Sequence, residues 1–168
     1  ADNFMVFNST QAQTDSAEDF NDTEPTSSVF SVGNGNRTNA SSGAQLAFVF
    51  APKQGFSKFG TYTGNANTDG TFIYTGFRPA WVLTKKYSGT GNWIITDTKR
   101  NTGNPHGKQL EINVDAAEYD NVRLDILSNG FKLRSSGSDA NGSGITYVYW
   151  AFAEAPFVNS KGVPCNAR

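Results

Sequence analysis

Val122-Arg123-Leu124-Asp125-Ile126-Leu127-Ser128-Asn129-Gly130-Phe131-Lys132-Leu133-Arg134 decides the fold class. Val122, Leu124 and Ile126 alternate with Arg123 and Asp125, and Phe131 and Leu133 alternate with Lys132 and Arg134. A period of two places alternate side chains on opposite faces of a strand. Asn129-Gly130 sits between the two runs, and Asn-Gly supplies the positive φ angles of a tight turn. The segment therefore reads as a hairpin over 122–134 with one apolar face. On this reading Asp125 points outward beside Arg123, on a wet strand face.

The rest of the chain follows the same grammar. Ala80–Lys86 and Trp93–Thr98 flank the turn Ser88-Gly89-Thr90-Gly91 and make a second hairpin. Thr146–Ala153 is apolar on both faces, as a central strand is. Phe56–Thr63 and Phe72–Phe77 are further strands, and Asp115–Tyr119 reads as a helical turn. Composition agrees. Gly, Asn, Ser and Thr supply 65 of 168 residues, and the strand formers Val, Ile, Thr, Phe, Tyr and Trp outnumber Leu, Met, Glu and Gln by 54 to 17. The expected fold is all-β, an antiparallel β-sandwich of jelly-roll or concanavalin-like type.

The chain also repeats itself. Ser28–Val32, Asn39–Gly43 and Leu46–Pro52 match Asn129–Leu133, Asn141–Gly144 and Tyr147–Pro156 in order, with the same spacing of 101 residues at Phe30/Phe131 and Gly43/Gly144. Phe7–Ala12 likewise matches Ile112–Ala117. Residues 1–54 thus read as the carboxyl half of a preceding repeat packed on a complete one at 55–168. The first half of that preceding copy would lie before Ala1, which itself suggests a processed or partial chain. Half a repeat has unpaired strand edges, a physical reason to expect contact between chains.

Several function classes are excluded. Net charge is -1 with no basic stripe, which argues against nucleic acid. The apolar runs 46–51 and 147–153 are too short to cross a bilayer as helices, so no membrane insertion is expected. A single cysteine, Cys165, excludes an internal disulfide, and a single histidine, His106, excludes multi-histidine metal sites.

Candidate chemistry is sparse. Asn65, Asn67 and Asp69, followed by Gly70, have the alternating oxygen spacing of a calcium loop. The first ligand is Asn and the twelfth position is Gly76 rather than Glu, so a polar inter-strand loop is the preferred reading and calcium the only cofactor considered. His106, in Asn104-Pro105-His106-Gly107, reads as an exposed loop histidine. Asp97 or Glu111 could orient it only by being nearby. Glu111, Asp115, Glu118, Asp120 and Asp125 cluster in sequence as glycosidase acids would, but nothing pairs them, and Glu154 reads as exposed at a strand end. Trp81, Trp93 and Trp150 could stack on sugars, yet each lies in a strand and reads as core. Lys85-Lys86 and Lys99-Arg100 read as wet strand ends. The sequons at Asn8, Asn21, Asn39 and Asn141 read as compositional. No catalytic residue emerges.

Four motifs carry a family resemblance: Phe56–Asn65 (FSKFGTYTGN), Thr75–Leu83 (TGFRPAWVL), Leu127–Leu133 (LSNGFKL) and Ala151–Phe157 (AFAEAPF) with the ending Asn166-Ala167-Arg168. Together they resemble a domain of unknown function found, often in tandem, in virion-surface proteins of marine tailed bacteriophages, notably tail fibres. The resemblance implies a lectin-like sandwich on the virion surface, with Arg168 as the chain end. It implies other virion proteins as partners and a homo-oligomer, a trimer if the protein is a fibre. It brings no catalytic residues. The combined expectation is a non-enzymatic structural or adhesion module that binds a host surface glycan or receptor through loops at one end, such as 33–43, 64–71, 100–109 and 135–144. A capsid decoration or cement protein is the alternative, and a polysaccharide depolymerase a third.

Overall fold

The computed structural model describes residues 3–156. Cys165, Phe157 and the ending Asn166-Ala167-Arg168 lie outside them. Ten strands and two one-turn helices are present among the described residues. Eight strands form one antiparallel sheet: β3 (Ser57–Thr63), β4 (Phe72–Tyr74), β5 (Pro79–Lys86), β6 (Trp93–Asp97), β7 (His106–Glu111), β8 (Tyr119–Leu127), β9 (Gly130–Leu133) and β10 (Thr146–Ala153). Their spatial order is β3-β10-β5-β6-β7-β8-β9-β4. The sheet curls until its two halves face one another and its edge strands approach. Lys58 Nζ of β3 donates to the Tyr74 carbonyl of β4 at 2.7 Å, and Thr71 Oγ1 donates to the Thr63 carbonyl at 2.9 Å. The antiparallel all-β fold expected from the sequence is therefore present, as one continuous sheet nearly closing into a barrel.

Alternation explains the interior. Tyr147, Tyr149 and Ala151 of β10 join Tyr62, Ile73, Phe77, Val82, Leu124, Ile126, Phe131 and Leu133 in a single buried cluster. Tyr62 stacks on Tyr147 with ring centroids 5.0 Å apart and meets Phe131 edge-on at 6.3 Å. β10 is central, pairing with β3 on one side and β5 on the other, as its two apolar faces predict.

The 122–134 hairpin has Leu127 opposite Gly130 and Ile126 opposite Phe131. Its turn differs from the expected one in mechanism. Neither Asn129 nor Gly130 has a positive φ. Glycine is needed at 130 because a Cβ there would collide with the Ile73 carbonyl of β4, its other neighbour. Asp125 and Arg123 are both buried, against expectation. Asp125 accepts from Arg134 Nε at 2.6 Å, and Arg123 donates to Thr84 Oγ1 and the Asp139 carbonyl. The β7–β8 pairing shifts register between His106 and Lys108, which breaks simple alternation along β8, and partners distant in sequence cover both side chains. Asp115–Tyr119 forms no helical turn; Tyr119 opens β8, and the helices are α1 (Ala17–Phe20) and α2 (Asn36–Asn39). The strand His106–Glu111 was missed in the sequence because its polar residues give no alternation.

The amino stretch meets the outer side of the curled sheet near residues 6–13 and again near 50–51. A small pair of strands, β1 (Asn3–Phe4) and β2 (Thr14–Asp15), opens this stretch. Phe7 contacts Trp93 and Trp150, and Phe50 contacts Phe59, Trp150 and Phe152. Trp93 Nε1 donates to the Val6 carbonyl. Lys85, expected at a wet strand end, is fully buried. Its Nζ donates to the carbonyls of Lys86, Gly89 and Thr10, clamping the amino stretch to the β5–β6 turn. Burial, and secondarily Lys86, hold its ammonium pKa below the usual lysine value. Residues 28–52, matched in sequence to 129–156, contain α2 and no strand. The strands that flank β9 and β10 have no counterparts in residues 1–54, so the matching backbone has nothing to pair with.

Candidate functional site

Strand direction assigns the loops to two ends. The 64–71 and 135–144 loops share one end with the β5–β6 turn. The 100–105 loop lies at the opposite end, where β6 leaves the sheet and β5 enters it. The expected loop set therefore does not converge on one surface.

At the first end the loops lock each other. Asn141 is fully buried. Its Nδ2 donates to Asn65 Oδ1, the Asn67 carbonyl and the Ser135 carbonyl, and its Oδ1 accepts from the Asn65 amide. Asn65 Oδ1 also accepts from the Asn67 amide, and Asn67 Oδ1 from the Asp69 amide. These are Asx turns. Asp69 pairs with Lys132 at 2.7 Å, which, with Arg134 at 3.6 Å, holds its carboxyl below the usual carboxylate range. The three calcium candidates thus stand in one loop with their side-chain oxygens engaged by protein donors. Among the described residues no group of three or more His, Cys, Asp or Glu could hold a metal ion. Burial also keeps the Asn141 sequon from a glycosylating enzyme in the folded chain. Nearby, a polar depression of about 300 Å³ is lined by Thr10, Thr90, Gly91, Asn92, Glu111 and Asp139. Tyr119 donates to Glu111 there, and burial and then Glu111 push its hydroxyl up to about 12.

At the other end, His106 is buried rather than exposed. Its Nδ1 lies 2.9 Å from Asn104 Oδ1, an oxygen that also accepts from the Ile126 amide, while Asn104 Nδ2 donates to the Ile126 carbonyl. An accepting Oδ1 requires Nδ1 to carry the proton, so neutral His106 leaves Nε2 as an acceptor. That atom has no partner among the described residues. Burial, then Arg78, lower its pKa, with the Asn101 backbone and then Asp125 and Asp97 opposing. No acid hydrogen-bonds to it. Asp97, a candidate to orient it, is bound elsewhere: Oδ1 accepts from the Lys99 and Arg100 amides and Oδ2 from Arg100 Nε. Burial works to raise the Asp97 pKa, but the Arg100 and Lys99 hydrogen bonds outweigh it and hold the carboxyl low.

These bonds shape a depression of about 550 Å³ lined by Ala80, Trp81, Asp97, Lys99 and Arg100. Trp93 is buried as expected, but Trp81 is only half-buried. Its indole is propped on Phe152, with centroids 5.5 Å apart. The floor is aromatic and the rim charged, the usual pattern of a small-molecule site. Sequence reading missed it because Trp81 sits in a strand and Lys99-Arg100 looks like a strand end. The signal was the pairing of Trp81 with Asp97 on adjacent strands.

The sequence model of a domain of unknown function (DUF7483) matches residues 1–156. The chain belongs to that family. The matched residues take in both the amino stretch and the curled sheet. No curated protein and no solved structure matches the chain.

Two outcomes follow from the buried polar groups of this DUF7483 chain. Asn141→Ala removes four side-chain hydrogen bonds that tie the loops and lowers unfolding stability by about 2–4 kcal/mol, read by urea denaturation. The second concerns acid. A histidine whose folded pKa is depressed stabilises the fold above its unfolded value, near 6.5, and that contribution fades as pH falls toward the folded value. Stability therefore drops as pH falls below about 6.5 in the native chain. With one histidine in the sequence, His106→Gln flattens that limb in urea titrations at each pH.

Proposed function

We propose that the chain is a non-enzymatic structural and adhesion module of a phage virion surface, and that the Trp81 depression is where it holds a saccharide of the host surface. The four sequence motifs support the virion setting. The observation that carries the binding role is the half-buried Trp81 indole lining a depression beside a fixed carboxylate and guanidinium. An indole face takes the C–H face of a sugar ring, and Arg100, held in place by Asp97, keeps free donors for its oxygens. Their geometry is set beforehand by backbone and side-chain hydrogen bonds, which reduces the ordering cost of binding. Labelled protein is expected to bind cells that the particle infects. Periodate cleavage of cell-surface diols removes that binding, and Trp81→Ala lowers it at least about tenfold with an unchanged circular dichroism spectrum. Binding that survives periodate overturns the saccharide reading.

A second reading, a capsid decoration or cement protein bound to the particle itself, draws on another observation. Leu46, Phe48 and Val49 are 81%, 77% and 73% exposed, in an uncharged stretch. Contiguous exposed apolar surface of this kind marks a contact. The matching strand β10 is covered on both sides by strands of its own repeat. A second copy of the chain is the cover we assign to residues 44–51, in either setting. Sedimentation velocity then gives an oligomer for the native chain and a folded monomer for the Leu46→Lys, Phe48→Lys double variant. A native monomer at every concentration tried removes this contact.

A further inference from the structure

We propose that the Trp81 depression selects acidic saccharides, those bearing a carboxylate or sulfate, an inference that rests on the saccharide reading above and narrows it. The argument is one of charge and of free hydrogen-bonding capacity. Around the depression stand two carboxylates, Asp97 and Glu118, and three cations, Lys99, Arg100 and Lys108. Arg100 bridges both acids, at 2.6 Å to Asp97 and 2.9 Å to Glu118, and Lys108 approaches Glu118 at 3.7 Å. The charged residues that line the depression, Asp97, Lys99 and Arg100, carry one net positive charge, on a chain whose overall net charge is -1.

That surplus has an address. Lys99 is exposed, and its ammonium makes no ion pair or hydrogen bond among the described residues. It also lines the depression directly. Its backbone is fixed, because its amide donates to Asp97 Oδ1 at 2.9 Å. Arg100 has further capacity: Nε is engaged by Asp97 and one Nη1 hydrogen by Glu118, leaving the other guanidinium hydrogens for a ligand. Asp97, by contrast, already accepts three protein hydrogen bonds and has little left to give a second hydroxyl. The free groups of the site are thus donors, and cationic ones. A neutral sugar offers hydroxyls that must donate somewhere. An anionic substituent offers only acceptors and matches what the rim leaves open.

The saccharide lies with its C–H face on Trp81 and its anionic group toward Lys99. A printed array of matched pairs, each a neutral saccharide beside its uronate, sialylated or sulfated form, tests this with the full chain. Hits are expected among the anionic members, and whether carboxylate or sulfate forms dominate identifies the group. For the strongest hit, Lys99→Ala lowers affinity about fivefold and flattens its dependence on salt. Trp81→Ala abolishes binding, with thermal unfolding followed for both variants. Equal capture of neutral and anionic members, or a Lys99→Ala chain with native affinity and salt dependence, overturns the charge selection and leaves the saccharide reading standing. An array with no hits at all overturns both.

Discussion

An eight-stranded sheet has two edges, and this one is held curled by Tyr62. The ring of Tyr62, on the edge strand β3, stacks on Tyr147 of β10 and meets Phe131 of β9 from across the interior. Its hydroxyl donates to the Ala140 carbonyl at 2.8 Å, a partner 78 residues away. One side chain thus joins one end of the sheet, the opposite wall and the loop between β9 and β10. Burial raises its phenol pKa far above the usual value, so the group stays a neutral donor. The edges need this help, because β3 and β4 meet through side-chain bonds rather than a ladder.

Curling has a consequence for every polar group caught inside. Arg123 is buried with no carboxylate partner, held by a threonine hydroxyl and a backbone carbonyl, and burial lowers its pKa. His106, Gln109 and Thr98 each leave a buried polar atom without a partner among the described residues. Such atoms cost stability unless something pairs with them. The barrel interior is therefore only partly apolar. The two ends differ as well: one is locked by Asn141, and the other is open above Trp81.

The outside of the sheet tells a related story. Trp93, Trp150, Phe59 and Phe152 would make a greasy outer face on an isolated sheet. Phe7 and Phe50 from the amino stretch cover part of it, and the buried ammonium of Lys85 fixes the same stretch by its carbonyls. The family match, over 1–156, spans both the sheet and this cover. Leu46, Phe48 and Val49 stay exposed beyond this cover, and the indole of Trp81 is half-buried.

Local alternation by itself determined the strands at 80–86, 93–97, 122–133 and 146–153, and the all-β class, because backbone pleating is a property of neighbours in sequence. It could not determine which faces stay wet. Asp125, Lys85 and His106 read as exposed and are buried, because covering them depends on strands and segments far along the chain. The same reason hid the candidate site: Trp81, Asp97 and Lys99 become one surface only when β5 and β6 pair and β6 turns back on its own carboxylate. The repeat at 28–52 shows the converse, a strand-forming pattern that stays irregular where no partner backbone comes alongside. Tertiary pairing alone decided those outcomes, since burial and hydrogen-bond partners are supplied by distant residues.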